Sequence, residues 1–329
     1  MIKKLSIILC SFMFFIISCS GGNQSNAAAA SGDDKQIVLG FAQVGAESEY
    51  RTANTKSIRE AASNANIELV FSDAQQKQEN QIKAIRSFIA RKVDVIAFSP
   101  VVESGFEAVL QEAKQANIPV IVTDRRAAVS SDDLYVAFIG SDFIEEGKKA
   151  ANWLVEYMNK LGRGSEELNI VELQGTVGSS PANDRQKGFL EVISNYPNYK
   201  VIRSQTGDFT RAKGKEVMEA FLKAEPKIDI LFAHNDDMAI GAIQAIEEAG
   251  KKPGEDIVIV SIDGVRGAFE AMMAGKLNCT VECNPLFGDL LMETAKKVVA
   301  GEEVPKSIYV EESIFPAEVA AKEFPNRKY

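Results

Sequence analysis

The stretch Ala233-His234-Asn235-Asp236-Asp237-Met238-Ala239-Ile240-Gly241 decides the fold. Before it runs a short apolar segment, 230–233, with the character of a buried strand; after it runs a helical pattern, 236–249, with acids in its first turn. Asn235 therefore stands where a parallel strand hands over to a helix, the edge at which open α/β sheets bind ligands. Its amide carries a donor and an acceptor on one plane and can bridge two adjacent hydroxyls. Asn and Asp also cap helices at such positions. The cap is expected at Asp236, leaving the Asn235 amide free for a ligand.

Outward from this junction the chain alternates strands and helices. Towards the N-terminus, strand patterns lie at 37–41, 67–71, 93–99, 119–122 and 136–139, with helical patterns at 49–64, 78–91, 105–116 and 142–161. Strands at 169–173, 200–204, 228–233, 257–262 and 278–283 then alternate with helices at 183–195, 211–223, 236–249, 267–274 and 285–300, and a last strand follows at 307–310. Strands apolar on both faces that alternate with helices make parallel sheets covered on both sides. The chain thus winds twice, giving an α/β protein of two doubly wound parallel-sheet domains. Two such domains have two carboxyl edges, and a cleft between them is a ligand site.

The polar residues just past those strand ends are the candidate site. Glu47, Tyr50 and Arg51 follow the first strand, Asp124 and Arg125 the fourth, Arg185 opens the helix after 169–173, and Asp263 follows 257–262. Carboxylates and guanidiniums make charge-assisted, often bidentate hydrogen bonds to vicinal hydroxyls, and Tyr50 can lay a ring against a sugar face. No activated nucleophile accompanies them. With a single histidine, His234, expected to be structural, acid/base hydrolysis has no support. Paired acids such as Asp124 and Asp263 would suit a glycosidase, but nothing else in the chain points to one, so no catalytic residue is expected. Gly40 and Gly45 lack the three-glycine spacing of a dinucleotide fingerprint. Trp153 lies in a helical run with Leu154 and Tyr157 and is expected in the core.

The ends add a compartment. Lys3 and Lys4 precede an apolar run, 5–17, of the length of a secretory leader and too short for a membrane span. Residues 1–18 are expected to be that leader, with a lipid on Cys19 and a flexible tether, rich in Gly, Ser, Asn and Ala, over 19–35. Of the 37 basic residues, Lys3 and Lys4 leave with the leader, so 35 face 46 acidic ones and the net charge is −11. That balance argues against a nucleic-acid partner. Of the remaining cysteines, Cys279 and Cys283 lie four apart on a strand, about 13 Å at strand rise, too far for a disulfide. No metal-ligand set and no cofactor are expected.

The pieces Val122-Thr123-Asp124-Arg125, Asp184-Arg185-Gln186-Lys187-Gly188-Phe189, His234 to Gly241 and Ser261-Ile262-Asp263-Gly264 together resemble the periplasmic sugar-binding proteins of the ribose/galactose type that serve ABC importers. The resemblance spans 37–315. Gly40 to Ser48, Asp73 to Gln81, Glu172 to Gly178 and Gly207-Asp208-Phe209-Thr210 look most like the galactofuranose binders within that group. It implies the type I binding-protein fold, two lobes on a three-segment hinge that close on ligand. By it, Glu47, Tyr50, Arg51, Asp124, Arg125, Arg185, Asn235 and Asp263 hold the sugar. Tyr50 stands where the galactofuranose binders have Trp, and Cys283 where many members have Gln, so Asn284, placed in the site, or Glu282 is expected to compensate. The lobes are expected at 36–138 plus 284–304 and at 139–283 plus 305–329. The implied function is capture of one monosaccharide, galactofuranose or a related furanose or hexose, for delivery to an inner-membrane ABC permease. The protein would be a monomer in the periplasm or cell envelope, held by the lipid on Cys19. The alternatives are a carrier of a sugar or furanone signal to a chemoreceptor and a binder of a pentose such as ribose. A sugar-responsive transcription regulator would need a basic DNA-binding head before Ile37, where this chain has a leader and a tether.

Overall fold

The structure is a computed structural model and describes residues 36–329. The leader, Cys19 and the tether lie outside the described residues. The first winding contains β1 (Val38–Gln43), α1 (Glu49–Asn64), β2 (Glu68–Asp73), α2 (Gln78–Arg91), β3 (Val95–Phe98), α3 (Glu107–Gln115), β4 (Val120–Thr123) and β5 (Ala137–Gly140). The second contains α4 (Phe143–Lys160), β6 (Leu168–Gln174), α5 (Ser180–Ile193), β7 (Tyr199–Thr206), α6 (Arg211–Ala224), β8 (Ile230–Ala233), α7 (Asp236–Glu248), β9 (Val258–Asp263), α8 (Arg266–Met273) and β10 (Cys279–Glu282). The chain ends with α9 (Gly288–Val299), β11 (Ser307–Tyr309), β12 (Ile314–Pro316) and short helical turns.

Two six-stranded sheets result, ordered β2-β1-β3-β4-β5-β11 and β7-β6-β8-β9-β10-β12. The strand order reverses between β1 and β3 in one sheet and between β6 and β8 in the other, so each has a switch point where ligands bind. Alternation along each strand feeds two cores. In the first lobe Leu39, Phe41, Val95 and Ile121 pack with Ile58 of α1 and Leu291 of α9, while Ala42, Ile96, Phe98 and Val122 pack with Phe88 of α2 and Leu110 of α3. Trp153 is in the second lobe's core, stacked on Tyr157 at 4.7 Å between ring centroids.

Two features of the last segment depart from expectation. Ser307–Tyr309 pairs in parallel with β5, so it is an edge strand of the first sheet rather than part of the second lobe from 305 onward. Ile308 and Val310 pack on the first lobe's core, which holds the segment there until Val310. The return to the second sheet follows at β12, which pairs antiparallel with β10. Three residues ending in Pro316 carry almost no strand pattern, and proline is tolerated at such an edge.

The helices α4 and α5 cross so closely that a Cβ on Gly188 would lie 2.0 Å from the Ile144 carbonyl oxygen, and one on Gly147 2.2 Å from that of Arg185. Both obstacles are backbone and cannot swing aside. Gly188→Ala is therefore expected to cost about 1–3 kcal/mol or more of stability by overpacking. Urea denaturation reads it, and an unchanged midpoint would show that the crossing tolerates a methyl group.

Candidate functional site

The carboxyl edges of the two sheets close on a small chamber. Its walls are Glu47, Ser48, Tyr50, Arg51, Asp124 and Arg125 from the first lobe and Phe143, Pro181, Arg185, Phe209, Asn235, Asp263 and Cys283 from the second lobe and its hinge. Every sequence-derived site residue except Asn284 is among them. The Asn284 side chain instead accepts the Leu286 N–H at 2.9 Å, turning the chain into α9.

On the first lobe, Ser48 caps α1 by accepting the Arg51 N–H at 3.1 Å. The cap sets Glu47 and Arg51 a turn apart, and Arg51 Nε meets Glu47 Oε1 at 3.0 Å. The same guanidinium lies 2.6 Å from Asp124 Oδ2 and donates to Gln43 Oε1 at 3.2 Å. Tyr50 Oη donates to Asp124 Oδ1 at 2.9 Å. Asp124 sits at φ 57° and Asp263, its counterpart in the second lobe, at φ 129°. L-residues take such angles reluctantly, and strain of this kind concentrates where loops aim functional groups.

Arg125 is held differently. Its Nη1 donates to the Val101 carbonyl at 2.9 Å, its Nη2 is 3.6 Å from Glu47 and its plane lies over Phe209 of the other lobe. Burial, together with repulsion from Arg51, pulls its pKa down, whereas burial of Arg51 is outweighed by Asp124 and Glu47, which hold its pKa up. Of the two first-lobe guanidiniums in the chamber, Arg125 is thus the less compensated. Its Nε, like Glu47 Oε2, is buried without a hydrogen-bond partner; Asp124 Oδ2 also lacks one in good geometry despite the nearby Arg51. Unpaired buried polar atoms are costly, and Glu47 Oε2 and Arg125 Nε both lie on the walls of this chamber.

On the second lobe the close α4–α5 crossing brings Glu146 to Arg185, with Nε 2.7 Å from Oε2. Arg185 also donates to the His234 carbonyl at 2.5 Å and lies 3.5 Å from Asp263. Asp184 and Glu191, its neighbours on the helix, are not its partners. Burial pushes the Asp263 carboxyl well up, with Arg185 opposing. His234 is buried; its Nε2 lies 2.9 Å from Glu172 and its Nδ1 accepts from Gly175 at 3.4 Å, while burial lowers its pKa. It belongs to the core and not to the chamber wall.

The cap of α7 is Asn235 and not Asp236. Asn235 Oδ1 accepts the Met238 N–H at 3.0 Å, and its Nδ2 donates to the Phe209 carbonyl at 3.2 Å. Asp236 points away into the second lobe, taking bonds from Ser261, Thr280 and the Val265 N–H. A cap needs extended backbone, and Asn235 has it at φ −150°, while Asp236 is already helical. Asn235 therefore reaches the chamber with its amide partly spent.

Sequence reasoning missed the aromatic walls Phe143 and Phe209 and the buried acids Glu146 and Glu312. Glu312 lies between β11 and β12, where the chain passes between sheets. It accepts from Ser141 Oγ just after β5 and from the Asn284 N–H at 3.0 Å just after β10, so one carboxyl ties all three crossings. Glu146, Cys283 and Glu312 bring their donor atoms within 4.8 Å of one another. Burial, with the Glu146 charge beside it, pushes Glu312 up to about 9, and burial pushes the Cys283 thiol well up, so it is no thiolate nucleophile. Cys279 and Cys283 are both free.

A proton held by folded Glu312 leaves the unfolded chain above its ordinary pKa of about 4.3. The folded state then binds the extra proton, and this group's contribution to stability falls as pH rises from about 4.3 towards 9. Glu312→Gln keeps the accepting oxygen without the ionisation. It should flatten the loss of stability between pH 5 and pH 9 in urea titrations, and a pH profile identical to wild type would refute the assignment.

The model of the periplasmic binding protein domain matches residues 39–303. The chain belongs to the periplasmic binding protein family. It is 47% identical over 311 residues to the galactofuranose-binding protein YtfQ of Escherichia coli (strain K12), covering 94% of this chain and 95% of that one. A Mycobacterium smegmatis protein solved with β-D-fucofuranose is 55% identical, with a TM-score of 0.87 over 89% of this chain and 95% of its own. The binding component of an arabinose ABC transporter from Shewanella sp. ANA-3, solved with α- and β-L-arabinofuranose, is 50% identical, with a TM-score of 0.84 over 89% of this chain and 96% of its own. The type I binding-protein architecture of two α/β lobes is thereby established, and the family is one of solute-binding proteins for transport, periplasmic by its nature. Among the described residues no helix is long and apolar enough to cross a membrane.

Proposed function

We propose that this periplasmic binding protein closes around one furanose sugar, galactofuranose or a hexofuranose or pentofuranose of similar outline, and presents it to an ABC permease without altering it. The observation that carries this reading is the chamber itself. It lies at the switch points of both sheets, where α/β proteins bind small ligands, and its walls are carboxylates, guanidiniums and aromatic rings. Glu47 Oε2 and Arg125 Nε, buried without hydrogen-bond partners, offer an acceptor and a donor to hydroxyls and a ring oxygen, and Tyr50, Phe143 and Phe209 offer apolar walls to the C–H face. Relatives with furanose in their names or crystals support that ring form. Binding shifts the population from open to closed, because the sugar bridges both sets of walls only when the lobes meet.

The Tyr50 hydroxyl is committed to Asp124, so the ring face is what it offers the sugar. Cys283 lines the wall with a weakly polar thiol and supplies no amide. The remaining parts of the proposal are a lipid on Cys19, a monomer and residence at the outer face of the membrane that carries the permease. Isothermal calorimetry against galactofuranosides, arabinofuranosides, ribose and pyranose-locked hexosides tests the sugar reading. Submicromolar binding of a furanoside with at least about a hundredfold weaker pyranoside binding (~3 kcal/mol) is expected. Absence of binding to any sugar, or preference for the pyranoside, would overturn it.

A further inference from the structure

The lobes also meet outside the chamber. Glu49 is the first residue of α1 in the first lobe; Arg211 opens α6 and Asp237 lies in the first turn of α7, both in the second. The Glu49 backbone N–H donates to Asp237 Oδ2 at 2.8 Å. Asp237 Oδ1 takes a bond from Arg211 Nε at 2.6 Å, and the other arm of that guanidinium reaches the Glu49 carboxylate. None of the three lines the sugar chamber; they border an outer groove with Thr52, Lys56 and Arg266.

The chemistry of this cluster is one of closure. The first N–H groups of a helix have no partner within it. Here a carboxylate from the opposite lobe supplies one for α1, at the end of the helix where negative charge is favoured. Among the described residues of its own lobe, Asp237's side chain has Arg211 as its partner. Opening therefore separates the Glu49 N–H from Asp237 and the Glu49 carboxylate from Arg211, while the Arg211–Asp237 pair travels intact. None of these contacts is made by a side chain on the chamber wall.

We infer that Glu49, Arg211 and Asp237 form a latch that sets how long the closed form lasts without taking part in choosing the sugar. This rests on the closure reading above. Glu49 and Arg211 are 42% and 45% exposed, so the latch is open to salt. Its strength is that of a partly screened ion pair plus one backbone hydrogen bond.

Arg211→Ala and Glu49→Ala are expected each to weaken binding of the best sugar about threefold to tenfold. The change should appear in the dissociation rate, the sugars should keep their rank order, and the double variant should be little worse than either single one. Arg211→Lys should recover part of the affinity, and the thermal midpoint of the sugar-free protein should stay put. Raising sodium chloride from 20 to 500 mM should weaken wild type and leave the double variant almost unaffected. Unchanged affinity and salt response in the variants, or an altered order of sugars, would overturn the inference. Fluorescence energy transfer between dyes on the two lobes, without sugar, separates this from failure of the sugar reading. At low salt the sugar-free variants should show a lower closed fraction than sugar-free wild type even if every sugar tried proves inert, and an identical closed fraction would count against the latch.

Discussion

Arg125→Ala is expected to abolish sugar binding, raising Kd by about a thousandfold (~4 kcal/mol), within the range for losing a buried charged partner. The reason lies in how poorly the free protein satisfies this side chain. Arg125 is 3% exposed, yet its Nε has no hydrogen-bond partner and its nearest carboxylates, Glu47 and Asp124, are 3.6 and 4.0 Å away. A ligand oxygen at Nε would complete it. Removing the guanidinium takes that bond away and leaves Glu47 still paired with Arg51 at 3.0 Å. The sugar-free protein should therefore melt within roughly 3 °C of wild type, the scale of a change near 1 kcal/mol in a domain of this size. Calorimetry and a thermal melt together decide. A collapse of the melting temperature would make Arg125 a structural residue, and retained affinity would place the ligand elsewhere.

Arg185→Ala should do the opposite to stability. Arg185 is the hydrogen-bonding cation of Glu146, which is fully buried, and it also satisfies the His234 carbonyl. Stripping one partner from such a pair costs about 3–5 kcal/mol, because the remaining charge is stranded. Burial already pushes the Glu146 carboxyl up, with Arg185 the main force opposing it. The double variant Arg185→Ala, Glu146→Gln should regain much of the lost stability, since a neutral amide replaces the stranded carboxylate, and should still fail to bind sugar. Urea denaturation of both variants reads the first outcome and calorimetry the second. Equal destabilisation of single and double variants would show that the Arg185 contacts other than Glu146 carry its structural weight. The two arginines thus differ in kind, although both face the same chamber.

The sequence carried most of the layout because its signals were local. The helix at 49–64 and that at 78–91 coincide with α1 and α2, whose apolar positions repeat on one face and whose ends are marked by Ser48 and by Lys92 in a left-handed turn. Asp124, Arg185 and Asp263 were legible as strand-end polar residues because parallel strands deliver their following loops to one edge. What failed was also physical. Asn235 and Asp236 are both good caps by composition, and only the extended backbone of Asn235 against the helical one of Asp236 separates them. Asn284 follows a strand as the others do, but its side chain turns back onto its own chain at Leu286. Glu146 and Glu312 read as ordinary surface acids until distant segments bury them.

By itself, then, the sequence determined two windings of strand and helix, the switch-point loops and the residue types that can grip a sugar, since each depends on periodicity and on chemistry carried within a short stretch. Only the tertiary structure decided which atoms remain unpaired in the closed chamber, that Arg185 answers to Glu146 across a glycine crossing, that Ser307–Tyr309 stays with the first sheet, and that Glu49 meets Asp237 and Arg211 from the other lobe. Those are contacts between segments up to 188 residues apart, and no local pattern encodes them. They follow from burial, which makes every polar atom's partner a question for the whole fold.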